Sequence, residues 1–156
     1  MSLLKDRVVT GALIGILADI VKLAVNYLAF LLNYTQVVFW QLAATRFLDR
    51  GDLFSPVAFV VGGVADLTVT AALGIVFLLL IEYTGTDYLW IKGAGFGLAV
   101  WVVLFGTLLG QSVQAKLPQS SSGILVTLVA HIIFGIGLAF FTRLYYNILE
   151  YDNMQN

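Results

Sequence analysis

Four stretches of this chain are too long and too apolar for an ordinary soluble fold. They cover residues 7–33, 56–83, 90–111 and 121–146. Each reaches the roughly 20 residues that a helix needs to cross a ~30 Å hydrocarbon layer. Lipid offers a backbone no hydrogen-bond partners, so such segments must be helices. Composition points the same way: 60% of residues are hydrophobic, 11% are charged and the mean hydropathy is +0.96. A surface so poor in charge suits a bilayer better than water. The expected fold class is all-α: a polytopic membrane protein, four transmembrane helices in a bundle, one integral membrane domain over residues 1–156.

Local signals mark the helix ends. Ser55 and Pro56 read as N-cap and first helical residue, and 117–122 reads the same way before the fourth helix. Residues 83–87 form a short turn. Tyr27, Tyr34, Trp40, Tyr83, Tyr88, Trp90, Tyr145, Tyr146 and Tyr151 fall near helix ends, where amphipathic rings favour the lipid–water boundary. The first apolar run is longer than a signal-peptide core and contains Asp19 and Lys22, so it is read as a retained helix.

The connection between the first two helices is long for a plain loop. Val37, Trp40, Ala44, Phe47 and Leu48 follow helical spacing, with Gln41, Thr45, Arg46, Asp49 and Arg50 on the other side. This pattern predicts an interfacial helix over residues 36–50; the competing reading continues the first helix out into water. Four crossings put both termini on one side, with Lys5, Arg7, Lys92 and Arg143. Arg46, Arg50 and Lys116 fall opposite, a small excess that favours cytoplasmic termini in a multi-pass protein of the cell membrane.

Several function classes lose support. A net charge of −1 with no basic cluster argues against nucleic-acid binding. The chain has no cysteine, so thiol catalysis and thiolate metal sites are excluded. One histidine and two separated intramembrane aspartates do not make a zinc cage. There is no GxSxG elbow, and Gly93-Ala-Gly-Phe-Gly97 lacks the strand and spacing of a nucleotide loop. The expectation is no enzyme, no metal and no cofactor.

The candidate functional residues are polar groups inside the apolar runs. Asp19, Lys22 and Asn26 are spaced three and four apart and share one helix face. Counted from the helix ends at 1.5 Å per residue, Lys22, Asp66 and His131 lie at nearly one level, ~15 Å deep. Ionisable groups at that depth cost ~2.5–3.5 kcal/mol each on insertion scales, so they face protein or water. They are expected to form an intramembrane polar network, either a proton-linked site or simply a tie between helices. Glycines four apart are expected to let helices approach closely: Gly11 with Gly15, Gly93 with Gly97, Gly106 with Gly110, and Gly62 ahead of Asp66. The Gly11–Gly15 and Gly93–Gly97 pairs, with Val64-Ala-Asp66 and Val129-Ala-His131, also suggest a duplication about an axis along the membrane normal.

Lys5-Asp-Arg7, the Gly11–Gly15 opening, the inter-helix segment and His131-Ile-Ile-Phe-Gly135 give the chain a resemblance. It resembles uncharacterised small four-helix bacterial membrane proteins and is distantly similar to YagU-like inner-membrane proteins. The resemblance implies location and fold and carries over no functional residue. The leading expectation is a non-enzymatic membrane component: a scaffold, anchor or accessory subunit. It would pack with itself, as a homo-oligomer, or with a membrane-protein partner. The alternative is a small oligomeric proton- or ion-linked transporter or channel built on Asp19, Lys22, Asp66 and His131.

Overall fold

The computed structural model describes residues 6–155 and is all-helical there. Lys5, one of the cations weighed for sidedness, lies outside the described residues. The elements are α1 (Arg7–Leu31), a short α2 (Phe39–Ala44), α3 (Pro56–Thr84), α4 (Leu89–Val103), a short α5 (Gly110–Lys116) and α6 (Ser121–Gln155). Four helical stretches are long and apolar enough to cross a membrane: Arg7–Leu31, Pro56–Thr84, Leu89–Leu108 and Ser121–Tyr151.

Side-chain chemistry explains most of the boundaries. The Asp6 carboxylate accepts from the backbone N–H groups of Val8 and Val9 at 2.9 and 3.1 Å and so opens α1. Asn33 adopts a left-handed φ of 61°, and α1 stops just before it. Pro56 begins α3 as expected, but the Ser55 hydroxyl donates back to the Asp52 carbonyl at 2.7 Å and caps nothing. Gly85, at φ 78°, ends α3. The Lys92 ammonium then donates to the carbonyls of Thr84 and Gly85 at 3.0 and 2.9 Å, satisfying acceptors that the helix end leaves free. Ser120 caps α6 by accepting from the Gly123 N–H at 3.1 Å.

The third apolar run is not one α-helix over 90–111. Between α4 and α5 the chain makes a π-helical turn at Leu104–Leu108, closed by the Leu109 N–H donating to the Leu104 carbonyl at 2.6 Å. Two residues favour the break. Gly106 contributes no side chain, and the Thr107 hydroxyl takes up the Val103 carbonyl.

Contacts place the long helices in the order α3, α1, α6, α4, and α3 meets α4 only lightly. Glycines set the two outer seams. A methyl group on Gly15 would strike the Thr70 carbonyl of α3, and one on Gly11 would strike the backbone at Ile75. In the same way Gly97 faces the His131 carbonyl of α6 and Gly93 faces Gly135. Gly74 and Gly135, which spacing within one helix does not single out, are the partners on the opposite side of each seam. Gly62 meets the backbone of Trp40 on α2. Two expected packing glycines meet no other helix of this chain. Gly106 faces outward with nothing close but its own turn, and Gly110 touches only the carbonyl of Phe105 within the π-helical turn. The seams also shift the register of the suggested duplication by one turn: Thr70, not Asp66, corresponds to His131.

The connection after α1 departs most from expectation. Its helix covers Phe39–Ala44 instead of 36–50. Val37, Phe39, Leu42, Ala44 and Leu53 are buried with Val113 and Leu117 of the α5 region. The Thr45 and Ser112 hydroxyls are 3.1 Å apart, and Lys116 donates to the Leu48 carbonyl at 2.6 Å. Apolar side chains of this connection are thus covered by neighbouring elements of the chain.

Candidate functional site

Polar and charged groups are buried inside the molecule while large apolar side chains lie on its outside. Val60, Val64, Val102 and Leu125 are exposed, whereas Asp19, Lys22, Asn26 and His131 are all buried. A water-soluble domain shows the reverse.

Lys22 is the centre of the site. Its Nζ lies 2.6 Å from Asp19 Oδ1 on its own helix and 2.9 and 3.1 Å from the two oxygens of Asp66 on α3. The level count from the sequence therefore brings Lys22 and Asp66 into contact. Gly15 makes this possible, because its missing side chain lets α3 approach α1 one turn away. Thr70 completes the local frame by donating to the Asp66 backbone carbonyl at 2.9 Å. The Asp66 interaction is a two-oxygen clasp. Asp19, by contrast, meets the ammonium through Oδ1 alone.

Aromatic rings close around the ammonium. Lys22 Nζ is 4.5 Å from the ring centroid of Phe39 and 5.7 Å from that of Phe134, within cation–π range. Asn26 joins the set indirectly: its Oδ1 accepts from the Phe39 N–H at 2.9 Å, fixing the start of α2. Its Nδ2 has no partner among the described residues.

His131 is near the triad but not bonded to it. Its Nδ1 donates to the Thr127 carbonyl at 2.8 Å on its own helix. Its ring packs edgewise on Phe39 and Phe105, with centroids 5.4 and 5.6 Å away. Of the residues expected in the network, the structure brings Asp19, Lys22 and Asp66 into contact and leaves His131 without a bond to them. Sequence reasoning missed Phe39 and Phe105 altogether. Both are apolar residues, one in a segment read as interfacial and one in a run read as plain helix.

Asp66 is the member of the triad with a route outward, its side chain being 12% exposed. It lines a cleft of about 260 Å³ between α3 and the π-helical turn, with Arg46, Phe47, Val69, Leu104 and Leu108. A second cleft of about 280 Å³ lies beside the same turn, lined by Trp101, Phe105, Gly106 and Thr127 among others. Trp101 Nε1 donates to the Thr127 hydroxyl there at 3.0 Å.

No protein-family model matches the chain, and neither the curated proteins nor the solved structures contain a match to it.

Proposed function

We propose that the chain is a small proton- or ion-linked membrane transporter or channel, with Asp19, Lys22 and Asp66 as its exchangeable proton site. One observation carries the reading. A single buried ammonium is shared by two carboxylates on different helices, and one carboxylate opens to a side cleft. With all three ionised the set carries one net negative charge. A single proton neutralises it. At mid-membrane depth that difference matters, since an uncompensated charge costs ~2.5–3.5 kcal/mol on insertion scales.

The two possible acceptors do different things. A proton on Asp19 leaves Lys22 clasped to Asp66, and α1 stays tied to α3. A proton on Asp66 weakens that tie and leaves Lys22 with Asp19 on its own helix. Proton occupancy is thereby coupled to a helix contact, which is the minimum a coupled transporter needs. In this reading the helices form a bundle across the cell membrane with both termini on the cytoplasmic side. The segment around α2 is then a re-entrant loop buried in protein, where irregular backbone is tolerated at membrane depth.

The glycine contacts weaken the case for a scaffold built on glycine ridges. Gly11, Gly15, Gly62, Gly93 and Gly97 all face neighbouring elements of the same chain. The scaffold, anchor or accessory-subunit reading keeps one supporting observation: α4 is the least buried of the four long helices and turns Gly95 outward.

Proton flux into proteoliposomes tests the proposal. Wild-type protein is expected to dissipate an imposed pH gradient, and Asp66→Asn is expected to abolish that flux while the protein remains folded. Flux at the level of empty liposomes for both would contradict the reading and leave the accessory-subunit alternative.

A further inference from the structure

His131 and the triad lie on two sides of one phenyl ring. From the first cleft inward the polar groups are Asp66, Lys22 and Asp19. From the second cleft inward they are Thr127, which lines it, and His131, which donates to the Thr127 carbonyl. That bond fixes the neutral imidazole proton on Nδ1 and leaves Nε2 as the nitrogen able to take up another. The ring of Phe39 touches both sets: Lys22 Nζ is 4.5 Å from its centroid and the His131 ring 5.4 Å. Phe105 backs it, 6.3 Å from Phe39 and 5.6 Å from His131. No hydrogen bond or ion pair joins His131 to the triad among the described residues. The charged and titratable groups facing this point are Asp19 and Lys22 from α1, Asp66 from α3 and His131 from α6; α2 and the π-helical turn contribute phenyl rings.

We infer that Phe39 is a gate between two proton sites, the Asp19–Lys22–Asp66 triad and His131. The inference rests on the proposed proton-linked function. A phenyl ring neither accepts nor donates a proton, so the path is shut while Phe39 stays in place. The ring sits on a six-residue helix held at its first residue by a single side-chain acceptor, Asn26. Its companion Phe105 sits in a π-helical turn, where the regular helical bonding is already broken. Phe39 and Phe105 thus lie outside α1, α3 and α6, the helices that carry the triad and His131. Withdrawal of the ring leaves a gap bounded by Lys22 Nζ and the imidazole. Water there would carry a proton from His131 to a triad carboxylate, the imidazolium losing the proton that the carboxylate gains.

His131 is the single histidine of the chain, so its reaction with diethyl pyrocarbonate reports on one site. Reaction with the exposed form follows the population of the open state. The wild type is expected to react slowly and Phe39→Ala about tenfold faster or more. Phe134→Ala, a comparable deletion beside Lys22, is expected to stay slow. If Phe39→Ala does not fold, Phe39→Val gives the same comparison with a smaller opening. Equal rates in wild type and both Phe39 variants, or equal acceleration by Phe134→Ala, would overturn the gate. Proton flux in proteoliposomes is expected to rise in Phe39→Ala and to vanish in Phe39→Ala/Asp66→Asn. Faster His131 labelling with no flux in any variant would uphold the barrier at Phe39 and defeat the transport reading instead.

Discussion

Lys22 holds two carboxylates, and the consequences of removing it follow from that geometry. Lys22→Met leaves Asp19 and Asp66 facing each other without a cation. Losing one partner of a buried ion pair costs ~3–5 kcal/mol, and thermal or chemical unfolding in detergent is expected to show a loss of that order. Replacing the whole set, as Asp19→Leu, Lys22→Met and Asp66→Leu together, is expected to restore stability to near wild type. Apolar replacement of a complete buried ion set is commonly neutral or stabilising. That triple variant is also expected to be inert in the flux assay, which separates holding helices together from moving protons. At this scale the sequence was informative about charge. Asp19, Lys22 and Asn26 had to share a face because helical spacing requires it, and Asp66 could be placed by counting depth. Phe39 could not be found that way. A phenylalanine in an apolar chain carries no signal until its neighbours are known.

Among elements, the glycine seams make opposite predictions for chemically identical substitutions. Gly15→Ala and Gly97→Ala push a methyl group into the backbone of a neighbouring helix. Such overpacking typically costs ~1–3 kcal/mol. Gly95→Ala puts its methyl into open space within α4, where alanine is the better helix former by ~0.5–1 kcal/mol. Unfolding measurements on the three variants are therefore expected to move in opposite directions. Four-residue glycine spacing was visible in the sequence, but only contact with another backbone shows which pairs matter. Gly106 and Gly110 have the spacing and meet no other helix of this chain. The short α2 was illegible for a related reason. Its periodicity resembles that of an amphipathic helix, yet its apolar residues are buried by α3 and the α5 region.

Over the whole molecule, two similar units face each other: long helix, short helix, long helix, then the same again. Gly74 and Gly135, Thr70 and His131, and Asp66 and Thr127 correspond at one constant interval, and Asp66 and Thr127 each line one of the two clefts. The register these contacts define differs by one helical turn from that of the duplication suggested by the sequence motifs. Short apolar motifs fix such a register poorly, whereas the seams fix it sterically. The units meet along α1 and α6, where a Cβ built on Gly137 would lie 3.2 Å from that of Ala18. Cβ atoms that close can be bridged with small adjustment. With no native cysteine to interfere, Ala18→Cys/Gly137→Cys is expected to form an intramolecular disulfide on oxidation, seen as a mobility shift reversed by reductant. Val60→Cys/Gly137→Cys is expected to give none. The central claim, that the Asp19–Lys22–Asp66 triad between α1 and α3 holds one exchangeable proton, is tested most directly by infrared difference spectroscopy of the reconstituted protein between acid and alkaline pH. The account predicts a carbonyl-stretch band from a protonated carboxylic acid that is altered or lost in both Asp19→Asn and Asp66→Asn. A spectrum with no such band, or one unchanged in both variants, would contradict it.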